Sequence, residues 1–302
     1  MAIKDFPIEE YVLPGNAACP GCPSTMGLRT VLKALGKKTI LTIPACCTAV
    51  IQSWYPYTSF NVPTLNIAFE AAASAASGIA AALKKLGEED INVVVWAGDG
   101  GTYDIGLQAL SGAIERQTNF LYICYNNQIY SNTGIQRSGA TPYAAWTTTT
   151  VKGKKEFRKD IGEIIIAHHV PYAATACVSY PEDLYNKVKK TMGIRGPKYI
   201  EILAPCPPGW RFSMDKTVEM GKLAVETGAW ILYEYENGKL SFNGISKSIA
   251  EGKYKPKPVE DWLKLQGRFS HLFKPEKDIV RINAIKDHIR DTWEHYKKLA
   301  SL

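Results

Sequence analysis

No run in this chain is long and apolar enough to read as a membrane span. The richest candidate, Ile67–Leu83, is mostly alanine and carries Glu70, too few large apolar groups for the bilayer. The opening MAIKDFPIEEYVLPGN lacks the apolar core that a secretory leader needs, so a cytoplasmic setting is expected. Basic residues never gather into a basic-aromatic array. The 36 Lys and Arg against 29 Asp and Glu give a formal charge of +7, but they are scattered. The small clusters Lys152, Lys154, Lys155 and Lys187, Lys189, Lys190 read as solvated faces, so no nucleic-acid partner is expected. Histidine is scarce, and the adjacent His168 and His169 point in different directions and read as structural. No internal repeat is visible.

Cysteine, by contrast, is plentiful, with seven residues. In a reducing compartment these are thiols or metal ligands rather than disulfides. Five sit in loops: Cys19-Pro-Gly-Cys22, the pair Cys46-Cys47 after the strand TILTI (39–43), and Cys206 in PCPPGW after the strand KYIEILA (198–204). Cys124 and Cys177 fall inside strands and read as small buried hydrophobes.

Taken in order, 302 residues suffice for one large or two ordinary domains. Residues 1–18 read as an extended arm. A helix is expected from Ser24 to about Leu35, and another over Ile67–Leu83 with a small-residue face. Strands at 39–43, 172–178 and 198–204 and a helix over Glu182–Met192 join those of the central stretch in a βαβ pattern. That pattern predicts an α/β fold, a parallel sheet with helices on both faces. From about residue 212 the chain changes character. It contains the hairpin turn Asn237-Gly238, a Lys/Pro linker and an amphipathic C-terminal helix. The division predicted is therefore arm 1–18, main domain 19–211 and C-terminal extension 212–302, an appendage that suggests no chemistry of its own.

The stretch Gly98–Gly134 organises the rest. INVVVWA predicts a buried strand that ends in Gly98-Asp99-Gly100-Gly101. A helix follows over about Asp104–Glu115, and the strand NFLYICY ends at Asn126-Asn127. Two adjacent parallel strands would thus deliver Asp99 and Asn127 to the carboxyl edge of the sheet, where open α/β sheets bind ligands. A hard cation such as Mg²⁺ takes oxygen ligands, often few from protein and the rest from phosphate. Asp99 offers a carboxylate, Asn127 an amide oxygen and Ile129 a backbone carbonyl. A diphosphate on that cation would meet the N–H groups of the glycine turn. The long loop Tyr130–Trp146 starts there and would cover the ligand. In it, Asn132 and Thr133 either face the reacting atoms or only make turn hydrogen bonds.

GDG, then 25 residues (101–125), then NN resembles the thiamine diphosphate motif. Together, CPGC, Cys47 after a strand, GDGGTYDIG, NNQIYSNTGIQ and APCPPGW resemble the thiamine diphosphate-binding β subunit of 2-oxoacid:ferredoxin oxidoreductases, most of all the pyruvate type. The resemblance covers about Cys19–Trp210. It implies a thiamine diphosphate-binding fold holding thiamine diphosphate, Mg²⁺ and one [4Fe–4S] cluster. The ligands implied are Cys19, Cys22, Cys47 and Cys206 for the cluster, and Asp99, Asn127 and Ile129 for Mg²⁺. Cys46 competes with Cys47, and the family spacing favours Cys47. The cofactor set implied is Cys47, Gly98, Asp99, Gly100, Gly101, Asn127, Ile129 and Thr133, with Asn132 catalytic. Also implied are an α subunit with the pyrimidine-binding domain, γ- and δ-type subunits, ferredoxin, coenzyme A and a 2-oxoacid. Pyruvate is the first choice, with oxalate or branched-chain acids open. Only one thiamine-type domain is visible, so the chain is expected to be inactive alone. Two rivals stand beside this reading. A non-oxidative thiamine enzyme subunit would leave the loop cysteines idle, and a Cys₄ zinc scaffold would leave the thiamine motif idle.

Overall fold

Strand residues alternate between two buried faces, so each face needs its own cover of helices. Val94, Trp96, Leu121 and Ile123 pack on one side with Leu28, Val31, Leu184 and Val188. Val93, Val95, Tyr122 and Cys124 pack on the other with Ala73, Ala76, Leu110 and Ile165. A computed structural model describes residues 3–54 and 56–301. The strands are β1 (Thr39–Pro44), β2 (Thr64–Ile67), β3 (Asn92–Gly98), β4 (Phe120–Asn126), β5 (Tyr172–Cys177), β6 (Pro197–Leu203), β7 (Tyr233–Glu236) and β8 (Lys239–Phe242). They form one sheet in the order β2-β1-β3-β4-β6-β5-β7-β8. The first six run parallel, and β7 and β8 are antiparallel.

The helices that matter for the site are α1 (Pro23–Leu35), α2 (Cys47–Ile51), α3 (Ala72–Leu86), α4 (Leu107–Glu115), α5 (Ile161–Ile166), α6 (Pro181–Thr191) and the short α7 (Pro207–Trp210). Pro23 and Pro207 start α1 and α7, where a missing N–H costs nothing. The C-terminal segment adds α8 (Thr217–Glu226), α9 (Gly244–Ala250), α10 (Val259–Lys264) and α11 (Ile279–Ser301). Its Trp230, Trp262, Phe269 and Ile282 join Ile129, Cys206 and Trp210 in a third apolar cluster beyond the strand ends. Among the described residues no helix is long and apolar enough to cross a membrane.

Several expectations need correction. The helix read over Ile67–Leu83 begins at Ala72, because Thr64–Ile67 pairs with β1 as a parallel edge strand. The helix read from Asp104 begins at Leu107. A π-helical turn, Gly100–Ile105, precedes it, and the Asp104 carboxylate accepts instead from Tyr130 and the Gly139 N–H. Lys154 and Lys187, read as solvated, are both 2% exposed. Lys154 donates to the carbonyls of Ser138, Gly139 and Thr141. Lys187 donates to Asp183 and to the Thr175 carbonyl. Burying an ammonium is costly, and the carbonyls that accept from Lys154 and the Asp183 carboxylate beside Lys187 offset part of that cost. The hairpin at Asn237-Gly238 extends the sheet, β7 pairing with β5.

Candidate active site

The register of the sheet brings the motif residues level. Gly98 lies opposite Tyr125, and Asn126 opposite Leu203. The segments that leave β1, β3, β4 and β6 therefore emerge together at the carboxyl edge. They carry Cys46-Cys47, Asp99, Asn127 and Cys206.

Asp99 is 1% exposed. Its Oδ1 accepts from the Asn127 N–H at 3.2 Å and its Oδ2 accepts from the Ser138 hydroxyl. Burial pushes this carboxyl up to about 7, since desolvation disfavours the anion. The Asn127 Oδ1 accepts from the Ile129 N–H at 3.3 Å. Asp99 and Asn127 are thus neighbours, with Ile129 one turn on. Among the described residues no group of three His, Cys, Asp or Glu side chains could hold a metal ion. One carboxylate with amide and carbonyl oxygens is instead the donor mixture that suits a cation bringing phosphate oxygens of its own. Gly98 ends β3, and Gly100 and Gly101 open the π-helical turn. A Cβ on Gly100 would lie 2.3 Å from the Tyr130 ring.

The cysteines divide by the direction of their thiols. Cys46 faces inward, toward the Tyr125 hydroxyl and the amides of Thr48 and Ala49. Cys47 faces the loop, its Sγ 3.9 Å from the Asn132 Oδ1. Its thiol is pushed up to about 12, first by burial and then by the Cys206, Cys46 and Cys22 thiols. The Cys206 thiol lies 3.4 Å from the Ser131 hydroxyl. Burial pushes it up to about 11, and Cys22 and Cys19 add to the rise. The loop cysteines Cys19, Cys22, Cys46, Cys47 and Cys206 thus lie within electrostatic reach of one another. Cys124 and Cys177 are wholly buried in strands.

Within the covering loop, Asn132 meets Cys47, while the Thr133 hydroxyl donates to Gln136 Oε1 at 2.6 Å in a local turn. Other residues brace the motif from outside it. The Trp210 Nε1–H donates to the Asn127 carbonyl at 2.7 Å. Thr141 donates to the Gln128 carbonyl at 2.7 Å, and Arg268 to Gln128 Oε1 at 2.6 Å. Gln128 itself holds φ +66°, a left-handed conformation that needs such support. Sequence reasoning missed Ser138, Lys154, Glu201 and Arg268. A carboxylate in the middle of KYIEILA was the one available signal. The others depend on contacts between distant segments.

Three comparisons bear on this geometry. Residues 45–202 match the family model "Thiamine pyrophosphate enzyme, C-terminal TPP binding domain". The chain is 50% identical to ketoisovalerate oxidoreductase subunit VorB of Pyrococcus abyssi, over 98% of this chain and 96% of that one. It is 50% identical to pyruvate synthase subunit PorB of Methanothermobacter thermautotrophicus, over 94% and 97%. Its fold is similar to that of the 2-oxoglutarate:ferredoxin oxidoreductase from Magnetococcus marinus. The TM-score is 0.57, with 20% identity over 91% of this chain and 97% of that one. The GDG…NN geometry at the carboxyl edge, the thiamine-domain match and full-length relatives at half identity agree: this chain belongs to the thiamine diphosphate-binding β subunits of the 2-oxoacid:ferredoxin oxidoreductases.

Proposed function

We propose that this chain is the catalytic β subunit of a heteromeric enzyme that oxidatively decarboxylates a short 2-oxoacid, passes the electrons to ferredoxin and gives the acyl group to coenzyme A. The observation that carries this reading is the placing of two different donor sets at one sheet edge. One set is Asp99, Asn127 and the Ile129 carbonyl, which suit Mg²⁺ and a diphosphate. The other is Cys19, Cys22, Cys47 and Cys206, which suit a [4Fe–4S] cluster. The donor chemistry fits both groups: a buried carboxyl whose anion a bound cation would stabilise and buried thiols that a metal would hold deprotonated. When bound, thiamine diphosphate supplies the electron sink for decarboxylation and the cluster a one-electron acceptor.

The chain's own residues do the rest. Asp99, held by Ser138 and the Asn127 N–H, presents its charge to the cation. Gly98, Gly100 and Gly101 keep side chains away from the diphosphate. Cys47 and Asn132, 3.9 Å apart, join the cluster side to the substrate side, and Asn132 donates to the substrate carbonyl. Thr133 supports that turn through Gln136. The pyrimidine half of thiamine must be met by an α subunit, with γ- and δ-type subunits completing the complex, which acts in the cytoplasm.

Pyruvate is the first substrate reading. A branched-chain 2-oxoacid is the second, favoured by the VorB relatives that span the whole chain. The test is viologen reduction by the purified complex against pyruvate, 2-oxoisovalerate, oxalate and 2-oxoglutarate, with and without coenzyme A. The highest kcat/KM should fall on pyruvate. No reduction with any 2-oxoacid would overturn the function. Preference for 2-oxoisovalerate would overturn only the first substrate reading.

A further inference from the structure

Arg268 lies in the C-terminal segment, yet it is wholly buried. Its Nε donates to Gln266 Oε1 at 2.8 Å and its Nη2 to Gln128 Oε1 at 2.6 Å. Its guanidinium lies 3.9 Å over the Trp210 ring. Nη1 has no hydrogen-bond partner among the described residues, and no carboxylate is bonded to the group. A guanidinium stays charged in proteins, and a buried charge is costly without a counter-ion. An amide, a second amide and an aromatic face are not one.

The position of the group shows what is missing. Gln128, which it holds, follows Asn127. Trp210, on which it stacks, donates to the Asn127 carbonyl and, through its N–H, to the Cys206 carbonyl. The acidic side chains in its field are the Cys206 thiol and the Asp99 carboxyl. The Asn127 N–H in turn donates to Asp99, so contacts lead from Arg268 toward Asp99 by way of Gln128 and Asn127, and toward Cys206 by way of Trp210.

We propose that Arg268 is the buried counter-charge for an anionic group bound between Asp99 and Cys206, and that it positions Gln128 in the metal-binding turn. This rests on the functional reading above, which supplies two such anions: a thiolate-bound iron–sulfur cluster beyond Cys206 and a magnesium-bound diphosphate beyond Asp99. Both present buried negative charge, and Arg268 touches no reacting atom.

The experiment uses the assembled complex under anaerobic conditions, carrying wild-type, R268K or R268M β subunit. Iron content, the midpoint potential of the cluster and the thiamine diphosphate dissociation constant with Mg²⁺ are measured. A more negative potential in R268M, with R268K near wild type, assigns the charge to the cluster, because losing a nearby cation disfavours the added electron. Thiamine diphosphate binding weakened roughly tenfold or more in R268M and largely restored in R268K assigns it to the diphosphate. Both together place the cation between them. No change in either quantity in R268M overturns the proposal. So does an R268K complex as impaired as R268M, since the defect would then be lost packing against Trp210. Should R268M fail to accumulate, R268Q is read in the same way. A wild-type complex holding neither iron nor thiamine diphosphate overturns the functional reading and the inference together. A loaded wild type with an unchanged R268M overturns the inference alone.

Discussion

The Asn126 side-chain amide donates to Glu201 Oε1 at 2.6 Å, tying the last residue of β4 to the middle of β6. The same oxygen accepts from the Tyr103 hydroxyl, and the Asn126 Oδ1 accepts from the Gln128 N–H at 2.9 Å. One buried carboxylate thus fixes the first residue of the turn that carries Asn127 and Ile129. Arg158 supplies the opposite charge nearby.

Replacing that carboxylate should loosen the turn. Glu201→Ala removes the acceptor shared by the Asn126 amide and the Tyr103 hydroxyl and one of the negative charges near Arg158, which costs about 3 kcal/mol. Glu201→Gln keeps an acceptor oxygen and should lose less than half of that. Urea unfolding of the two variants checks the difference, and equal losses would show that the hydrogen bonds to Asn126 and Tyr103 contribute nothing.

The cysteines should separate by iron content. Serine at Cys19, Cys22, Cys47 or Cys206 should remove most of the iron and the low-temperature signal of the reduced cluster. Cys46→Ser should keep both, because that thiol turns toward Tyr125. A cluster lost with Cys46→Ser and retained with Cys47→Ser would reverse the choice between them.

Gly100 leaves no room for a side chain. Alanine there would drive Tyr130 from its bonds to the Gly100 carbonyl, at 3.2 Å, and to Asp104, at 2.8 Å. Gly100→Ala should lower the melting temperature by several degrees and weaken thiamine diphosphate binding. In the double variant with Tyr130→Ala the two stability losses should fall short of additive, since one removes the obstacle met by the other. Full additivity would mean that the ring is not what excludes the methyl group.

Lys154 gives stability a pH dependence of known sign. Burial first, and then Arg137, push its amine down to about 8 from 10.5. Between those values the unfolded chain binds the extra proton, so stability rises with pH from about 8 toward 10.5. Lys154→Met should lie below wild type at pH 8, and the gap should widen by pH 10. Urea midpoints at the two pH values test this, and parallel curves would show that the amine keeps its proton throughout.

Asn132→Ala should lower kcat while thiamine diphosphate and iron stay bound, because the side chain reaches Cys47 but supports no strand. Unchanged turnover in the complex would leave Asn132 a turn residue like Thr133.

Much of this site was legible because its chemistry is local. GDG and NN each sit where a strand ends, and strand ends are visible in runs such as NVVVWA and FLYICY. Family spacing alone prefers Cys47 to Cys46, and the structure adds that the two thiols point different ways, Cys46 toward Tyr125 and Cys47 toward Asn132. Lys154 and Lys187 misled because lysine is usually solvated and nothing nearby in sequence announces the carbonyls that receive them. Thr64–Ile67 was hidden for the opposite reason: four half-exposed edge residues show neither strand alternation nor a buried run. Arg268 was invisible, since its partner Gln128 lies far back in the chain and no short-range pattern couples them.

Arg268 stands later in the chain than every residue it helps to hold. Every proposed ligand, from Cys19 to Cys206, leaves the ribosome before Gln266 and Arg268. A nascent chain halted after Trp210 would own all the donor atoms and still lack the brace on Gln128, the β7–β8 strands beside β5 and the apolar lid of Trp262 and Phe269 behind the turn. An early stop codon in the last third would therefore leave every proposed ligand in the chain and remove the contacts that hold Gln128 beside them.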